Sequence, residues 1–112
     1  MTLRVSAAEP FTTSAVIRSC SVKVPAAANG VDVLSRAVRD GCIESYETSS
    51  FSGGTFLDCI DGICGTAGTY WRMTENGAMT SYGVDGFVAH PGDVLGFSYT
   101  IWAGCLADQS LC

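Results

Sequence analysis

Six cysteines in a chain of 112 residues constrain this sequence more than any other feature. The six are Cys20, Cys42, Cys59, Cys64, Cys105 and Cys112. A zinc site would need cysteine pairs two to four residues apart, usually with histidines. Only Cys59 and Cys64 come near that spacing, and the chain has one histidine, His90. An even number of cysteines in a short chain instead indicates disulfides and an oxidising compartment. We therefore expect a disulfide-stapled domain without a metal site, secreted or on the cell surface.

Length and charge narrow the class of protein further. The 112 residues suffice for one domain, 1–112, with a real hydrophobic core. The net charge is −5, and the six basic residues are scattered along the sequence. A nucleic-acid-binding protein needs a basic stripe, so we expect no nucleic acid and no anionic membrane surface as partner. No apolar run approaches the roughly 20 residues that span a bilayer, and no signal peptide is recognisable at the start.

The first third of the chain predicts two strands and one helix. Residues 2–7 and 15–24 alternate apolar and polar side chains, which is typical of strands. In GVDVLSRAVRDGC, apolar residues recur every three or four positions and form a single stripe. Asn29 is a suitable N-cap, Asp32 lies in the first turn, and Gly41 can end the helix in a left-handed conformation.

Two turn dipeptides predict hairpins in the second half. Asp61-Gly62 favours a type I′ turn joining two strands within 55–64. In that register Cys59 lies directly opposite Cys64 in a non-hydrogen-bonded pair, close enough for a cross-strand disulfide. Pairing of either cysteine with Cys42 stays open at this stage, because six cysteines allow 15 connectivities. Asn76-Gly77 predicts a second hairpin after a strand over 70–74.

The remaining segments complete the predicted architecture. Residues 46–54, YETSSFSGG, are polar and glycine-rich and are interpreted as a loop. A Pro-Gly-Asp turn at 91–93 precedes a long last strand, in which Phe97, Tyr99 and Ile101 share one face and Trp102 lies on the other. The order predicts an α+β fold, a β-grasp-like mixed sheet with a single helix packed on one face.

Several of these motifs, in this order, resemble a known family. The motifs are NGVDVLSRAV, FLDCIDGIC and TYWRMTENGAMTSYGVDGFVAHPGDVLGFSYTIW. They are similar to the C-terminal β-domain of the cobalamin carriers transcobalamin and intrinsic factor, and to bacterial transcobalamin-like C-terminal domains. The resemblance covers about residues 15–102, with a strand at 83–87, and leaves 103–112 as a cysteine-containing tail. It implies the fold described above and a corrinoid such as cobalamin as ligand, held in the carriers against a larger helical barrel.

The aromatic pair Tyr70-Trp71 is the leading candidate for a ligand contact. Neighbours on a strand point to opposite faces, so one ring should fill the core and the other lie on the surface or on a ligand. The resemblance directs attention to Tyr70, Trp71, Arg72 and Trp102. Aromatic rings would supply apolar contact, and Arg72 a polar contact to amides or phosphate.

Catalysis and metal binding have little support in the sequence. His90 precedes Pro91 in an extended turn, where a solvated histidine is favoured over an axial ligand. Asp61, Asp85 and Asp93 stand beside glycines in turns and are dispersed, which favours backbone capping over a calcium site. No nucleophile, base and orienting group are evident together. The sequence thus predicts a non-enzymatic module that binds a corrinoid-like ligand. The alternative is a disulfide-stapled protein-interaction domain, such as a secreted protease inhibitor or a surface structural module, that uses 46–54 or 103–112.

Overall fold

The chain folds into two β-sheets and one α-helix in its described part. The computed structural model describes residues 1–7, 16–52 and 54–101, without the side chains of residues 16 and 101. None of the described helices is long and apolar enough to cross a membrane. In chain order, the elements are β1 (Thr2–Ala7), β2 (Val16–Ser21), α1 (Gly30–Arg39), β3 (Tyr46–Phe51), β4 (Gly54–Ile60), β5 (Ile63–Cys64), β6 (Thr69–Glu75), β7 (Ala78–Met79), a 3-10 helix (Val84–Gly86) and β8 (Val94–Ile101).

The larger sheet is mixed, as the sequence predicts. Its strand order is β2-β1-β8-β6-β7, with β1 and β8 parallel and the other neighbours antiparallel. A second, antiparallel sheet has the order β3-β4-β5. The α+β class with a mixed sheet and one helix is therefore confirmed, while the strands form two sheets instead of one.

The helix begins and ends where its sequence signals lie. The Asn29 side chain accepts the Asp32 backbone N–H, and the Asp32 carboxylate accepts the Asn29 N–H, both at 3.0 Å. This reciprocal pair is a capping box. At the other end Gly41 has φ +80°, and the N–H groups of residues 41 and 42 donate to the carbonyls of Val38 and Ala37. These two bonds form a Schellman motif.

Both predicted hairpin turns are confirmed. Asp61 and Gly62 have φ of 52° and 80°, and Asn76 and Gly77 have φ of 53° and 87°. Positive φ at both central residues is the requirement of a type I′ turn. The Asp61 carboxylate also accepts the backbone N–H of Glu44, at 2.6 Å, so it caps a neighbouring segment and not its own turn.

The prediction of a loop over 46–54 is wrong. Residues 46–51 form β3, which pairs with β4 and places Ser50 opposite Thr55. Polar side chains hydrogen-bond across the pair: the Ser49 hydroxyl donates to Asp58, and the Ser50 and Thr55 hydroxyls lie 3.1 Å apart. The outer face of β3 meets water, so its sequence lacks the alternation of apolar and polar residues that identifies a half-buried strand.

The predicted strand at 83–87 is instead a 3-10 turn wedged between α1 and β4. A Cβ on Gly83 would lie 2.1 Å from the Thr55 carbonyl oxygen, and one on Gly30 would lie 2.6 Å from the Val84 carbonyl oxygen. Both approaches are too close for any side chain. Val84 and Phe87 are fully buried at this junction, so the turn contributes to the core that joins helix and sheets.

Two disulfides link these elements. Cys59–Cys64 spans the β4–β5 hairpin, as the register predicts. Cys42 pairs with Cys20 and not with either hairpin cysteine, which settles the alternative in favour of the cross-strand bond. The Cys20–Cys42 bond joins β2 to the end of α1. Cys105 and Cys112 lie outside the described residues.

Candidate ligand-binding groove

An open groove of about 420 Å³ lies where the smaller sheet meets β6. We call it the aromatic groove. It is lined by Phe51, Phe56, Leu57, Asp58, Gly65, Thr66, Thr69, Tyr70 and Trp71. Its volume lies within the range of about 300–1,000 Å³ that is usual for small-molecule sites.

Two exposed phenylalanines form one wall of the aromatic groove. Phe51 is 65% exposed and Phe56 is 40% exposed. Their ring centroids lie 6.0 Å apart at a tilt of 42°, which is a favourable aromatic contact. The β3–β4 pairing brings them together, because Phe56 lies opposite Ser49 and Phe51 opposite Gly54. Two large apolar rings left in water beside a concave surface are more informative than single exposed residues.

Tyr70 and Trp71 contribute to the other wall in different ways. Trp71 is 6% exposed, its indole N–H donates to the Ile63 carbonyl at 2.9 Å, and its ring packs 5.1 Å from that of Tyr99. The indole is therefore a fixed part of the core whose edge reaches the groove. Tyr70, on the opposite face of β6, is partly exposed and lines the groove.

A chain of hydroxyl groups holds the floor of the aromatic groove in place. The Thr66 and Thr69 hydroxyl oxygens lie 2.7 Å apart, and the Thr69 and Tyr99 hydroxyl oxygens 2.9 Å apart. The Tyr99 hydroxyl donates to the Cys64 carbonyl at 2.6 Å. These bonds tie the β5–β6 connection to β8 and fix this side of the aromatic groove.

Of the two remaining sequence-predicted site residues, the structure describes Arg72. Arg72 is opposite Ser98 on the outer face of the larger sheet and does not line the aromatic groove. Its Nε is buried without a hydrogen-bond partner in the described structure. Trp102 lies outside the described residues. The sequence-based prediction thus included Tyr70 and Trp71, which line the aromatic groove, and missed Phe51 and Phe56. The signal that could have found them is the pair of aromatics flanking Ser52-Gly53-Gly54-Thr55, a hairpin-like spacing.

His90 lies in an exposed turn, as predicted. Its imidazole is 69% exposed, and Nδ1 lies 3.5 Å from an Asp93 carboxylate oxygen. The Asn76 side-chain amide donates to Asp93 at 3.1 Å, and the His90 backbone N–H at 2.9 Å. Hydrogen bonding to Asn76, followed by that to the His90 backbone, lowers the pKa of Asp93. Asp93 therefore caps its own turn. Its hydrogen bonds with Asn76 and with the His90 backbone fix the chain before β8.

Among the described residues, one cluster of side chains has the composition and spacing of a metal site. Glu47, Cys59 and Cys64 bring one ligand atom each within 4.8 Å of one another. Both sulfurs belong to a disulfide, whereas a metal is bound by thiolate. In this oxidised form the cluster is a structural one.

Comparison with known proteins identifies the fold as one already seen in solved structures. No protein-family profile matches the chain, and no curated protein matches it in sequence. Among solved structures, it is similar to haptocorrin in complex with Cbi, with a TM-score of 0.70 and 20% identity over 91% of this chain. The chain spans 25% of that haptocorrin chain.

A second solved structure comes from Ruminococcus gnavus ATCC 29149 and carries a provisional description as a metal-binding protein. It superposes with a TM-score of 0.61 and 13% identity, over 90% of this chain and 95% of that one. At 20% and 13% identity, the two similarities show that this chain shares its fold, two sheets and a helix, with both proteins.

Proposed function

We propose that this chain is a non-enzymatic, extracytoplasmic ligand-binding module with a transcobalamin-like fold. In this proposal, the aromatic groove contacts a flat ligand with large apolar faces, of which a corrinoid such as cobalamin is the most concrete example. The observation that carries the proposal is the exposed pair Phe51 and Phe56 beside Tyr70, on a fold shared with haptocorrin in complex with Cbi.

The chemistry of the aromatic groove suits such a ligand. Aromatic rings offer apolar area together with stacking geometry, and an aromatic pair adds about 0.5–1.5 kcal/mol beyond the area that it buries. Asp58 and Thr66 add polar atoms to the lining of the aromatic groove, and a few polar groups at an apolar site fix the orientation of a ligand. Trp71, anchored by its own hydrogen bond, acts in this proposal as a fixed part of the groove lining and not as a mobile contact.

The size of the aromatic groove limits the share of the ligand that it holds. A volume of about 420 Å³ lies near the lower end of small-molecule sites, and a corrinoid is larger than a typical drug-sized ligand. In this proposal the groove holds one face or edge of the ligand, and a second protein surface covers the remainder. That division agrees with a chain that spans a quarter of the haptocorrin chain.

The disulfides support the extracytoplasmic part of the proposal. Cys20–Cys42 and Cys59–Cys64 are both formed, and stable disulfides are rare in a reducing cytosol. The same bonds support a binding role over catalysis, because a sulfur in a disulfide is not a nucleophile. The imidazole of the only histidine, His90, lies 3.5 Å from an Asp93 carboxylate oxygen in the turn before β8.

Calorimetry with cobalamin tests this proposal. We expect saturable heat with the unchanged chain and a visible-spectrum shift of the ligand. Phe51→Ala and Tyr70→Ala should each weaken binding about fivefold, since each removes about 1 kcal/mol of aromatic contact. The matched control is Ile17→Ala, which removes a 70% exposed apolar side chain far from the aromatic groove. An absence of heat and spectral shift, or equal affinity for Phe51→Ala and Ile17→Ala, would contradict the proposal.

A second candidate function rests on the position of Phe51. An aromatic ring that is 65% exposed at the end of the β3–β4 hairpin has the form of an anchor for a pocket on another protein. The domain would then be an interaction module, such as a protease inhibitor. Incubation with a panel of endoproteases distinguishes this candidate: an inhibitor would leave the hairpin intact and block the protease, whereas cleavage without inhibition would eliminate it.

A further inference from the structure

The folded chain collects half of its basic residues in one place. Arg36 and Arg39 lie one turn apart on α1, and Lys23 lies 13 residues before Arg36; all three line an open groove of about 640 Å³ between α1 and residues 23–28. The chain as a whole carries six basic residues and a net charge of −5. We call this surface the cationic groove. It is rich in positive charge, whereas the net charge of the whole chain is negative. It shares no lining residue with the aromatic groove.

Arg36 is held ready for a ligand. Its Nε donates to the Lys23 carbonyl at 3.0 Å and lies 4.0 Å from an Asp40 carboxylate oxygen, so the guanidinium is fixed against the neighbouring segment. Within the described residues, its terminal nitrogens make no hydrogen bond. A planar guanidinium held in this way is suited to bind a carboxylate or a phosphate with two parallel bonds. Arg39 lies one turn further on and has no ion-pair partner in the described structure.

The floor of the cationic groove is apolar and rigid. It is formed by residues 24–28, which include Val24 and Pro25. The Ala28 N–H donates to the Pro25 carbonyl, and the Ala28 carbonyl accepts the Ala89 N–H at 2.8 Å. Ala27 has φ +65°, a conformation that alanine seldom adopts. The turn is therefore held by its surroundings, and the cationic groove keeps its shape without a ligand.

We propose that the cationic groove binds an acidic peptide segment of a partner protein. Three cations beside an apolar floor match a short chain that carries carboxylates on one side and apolar groups on the other. A free phosphate would leave the floor unused. A nucleic acid would meet three cations on a molecule of net charge −5, whereas binding to a polyanion depends on many phosphate contacts. Asp32 also lines the cationic groove, so carboxylates of the segment are favoured beside the three cations and disfavoured beside Asp32.

Fluorescence anisotropy with a labelled peptide, Glu-Glu-Leu-Glu-Glu, tests this proposal. We expect saturable binding by the unchanged chain at low ionic strength, where exposed charges are least screened. Arg39→Gln should weaken binding about fivefold, corresponding to one exposed ion pair, and the double variant Lys23→Gln and Arg39→Gln should weaken it more. Both side chains are exposed, so neither change should impair folding.

The matched control is Arg18→Gln, which makes the same change of charge at an exposed position outside the cationic groove. Equal affinities for Arg18→Gln and Arg39→Gln would overturn the proposal, because net charge alone would then explain binding. An absence of saturable change up to roughly 1 mM protein would also overturn it. So would displacement of the peptide by an equal concentration of inorganic phosphate or of a short single-stranded DNA, since either would assign the surface to a different ligand.

Discussion

At the scale of single residues, Tyr70 and Trp71 show what a strand pattern determines and what it leaves open. Alternation on a strand requires that adjacent rings take opposite faces, and this was predictable. The identity of the buried ring was not, because it depends on partners distant in sequence: Tyr99 against the Trp71 ring and the Ile63 carbonyl on its indole N–H. The spacing of Phe51 and Phe56 favours a hairpin, but their place beside a groove depends likewise on distant partners, namely the pairing of β3 with β4 and the position of β6.

Tyr82 has a testable titration of its own. Its hydroxyl donates to the Glu75 carboxylate, and this hydrogen bond, together with burial, raises the pKa of Tyr82 from 10.0 to about 12. Because the folded pKa lies above the unfolded value, the contribution to stability is fully present below pH 10 and is lost as the pH rises from 10 to about 12.

Alkaline absorbance titration of the folded protein should therefore contain a tyrosine step near pH 12, as expected for the raised Tyr82 pKa. Tyr82→Phe should remove that step, and Glu75→Gln should move it to lower pH, because the carboxylate that favours the neutral phenol is gone. Persistence of the step in Tyr82→Phe would show that another group produces it.

At the scale of elements, α1 and the two hairpins were predictable because their signals are local. A cap, a stripe and a left-handed glycine lie within 13 residues and agree with one another. The strand β3 and the 3-10 turn were not. The former depends on hydrogen bonds from Ser49 and Ser50 to the next strand, and the latter on the fit of Gly83 against the Thr55 carbonyl. Both are contacts between segments, and no local pattern encodes them.

The capping box at the start of α1 gives the prediction at this scale. Asn29→Ala removes the acceptor for the Asp32 N–H and should lower the free energy of unfolding by about 1 kcal/mol. Asn29→Ser retains a capping oxygen and should lower it by much less. Urea denaturation, followed by circular dichroism, measures both. Equal losses for the two variants would show that the cap contributes nothing beyond the side-chain packing of Asn29.

At the scale of the whole molecule, the two disulfides differ in what they connect: Cys59–Cys64 joins paired strands, and Cys20–Cys42 joins parts that no sheet connects. Cys59–Cys64 was predictable from the register of a single hairpin. Cys20–Cys42 was not, because it joins β2 to the end of α1 and depends on how these two elements pack in the folded chain. The division of the strands into two sheets, and the gathering of Lys23, Arg36 and Arg39 along one groove, are likewise properties of the assembled fold.

The two disulfides should differ in their effect on stability. Cys20–Cys42 closes 22 residues and Cys59–Cys64 closes 5. By chain entropy, these loops correspond to about 3 and about 2 kcal/mol. We expect replacement of both Cys20 and Cys42 by alanine to lower the free energy of unfolding more than the same replacement of Cys59 and Cys64. Denaturant unfolding of the two double variants measures the difference, and the reverse order would contradict the entropic account.

The central claim is that the aromatic groove is the ligand site of this domain. Amide proton–nitrogen NMR during a titration with cobalamin tests it most directly, because the spectrum reports each backbone position separately. The account predicts that the largest shift changes fall at Phe51, Phe56, Thr69 and Tyr70, with little change at Ile17 or Ser19 on the distant edge strand. Changes confined to β1 and β2, or none at saturating cobalamin, would contradict it.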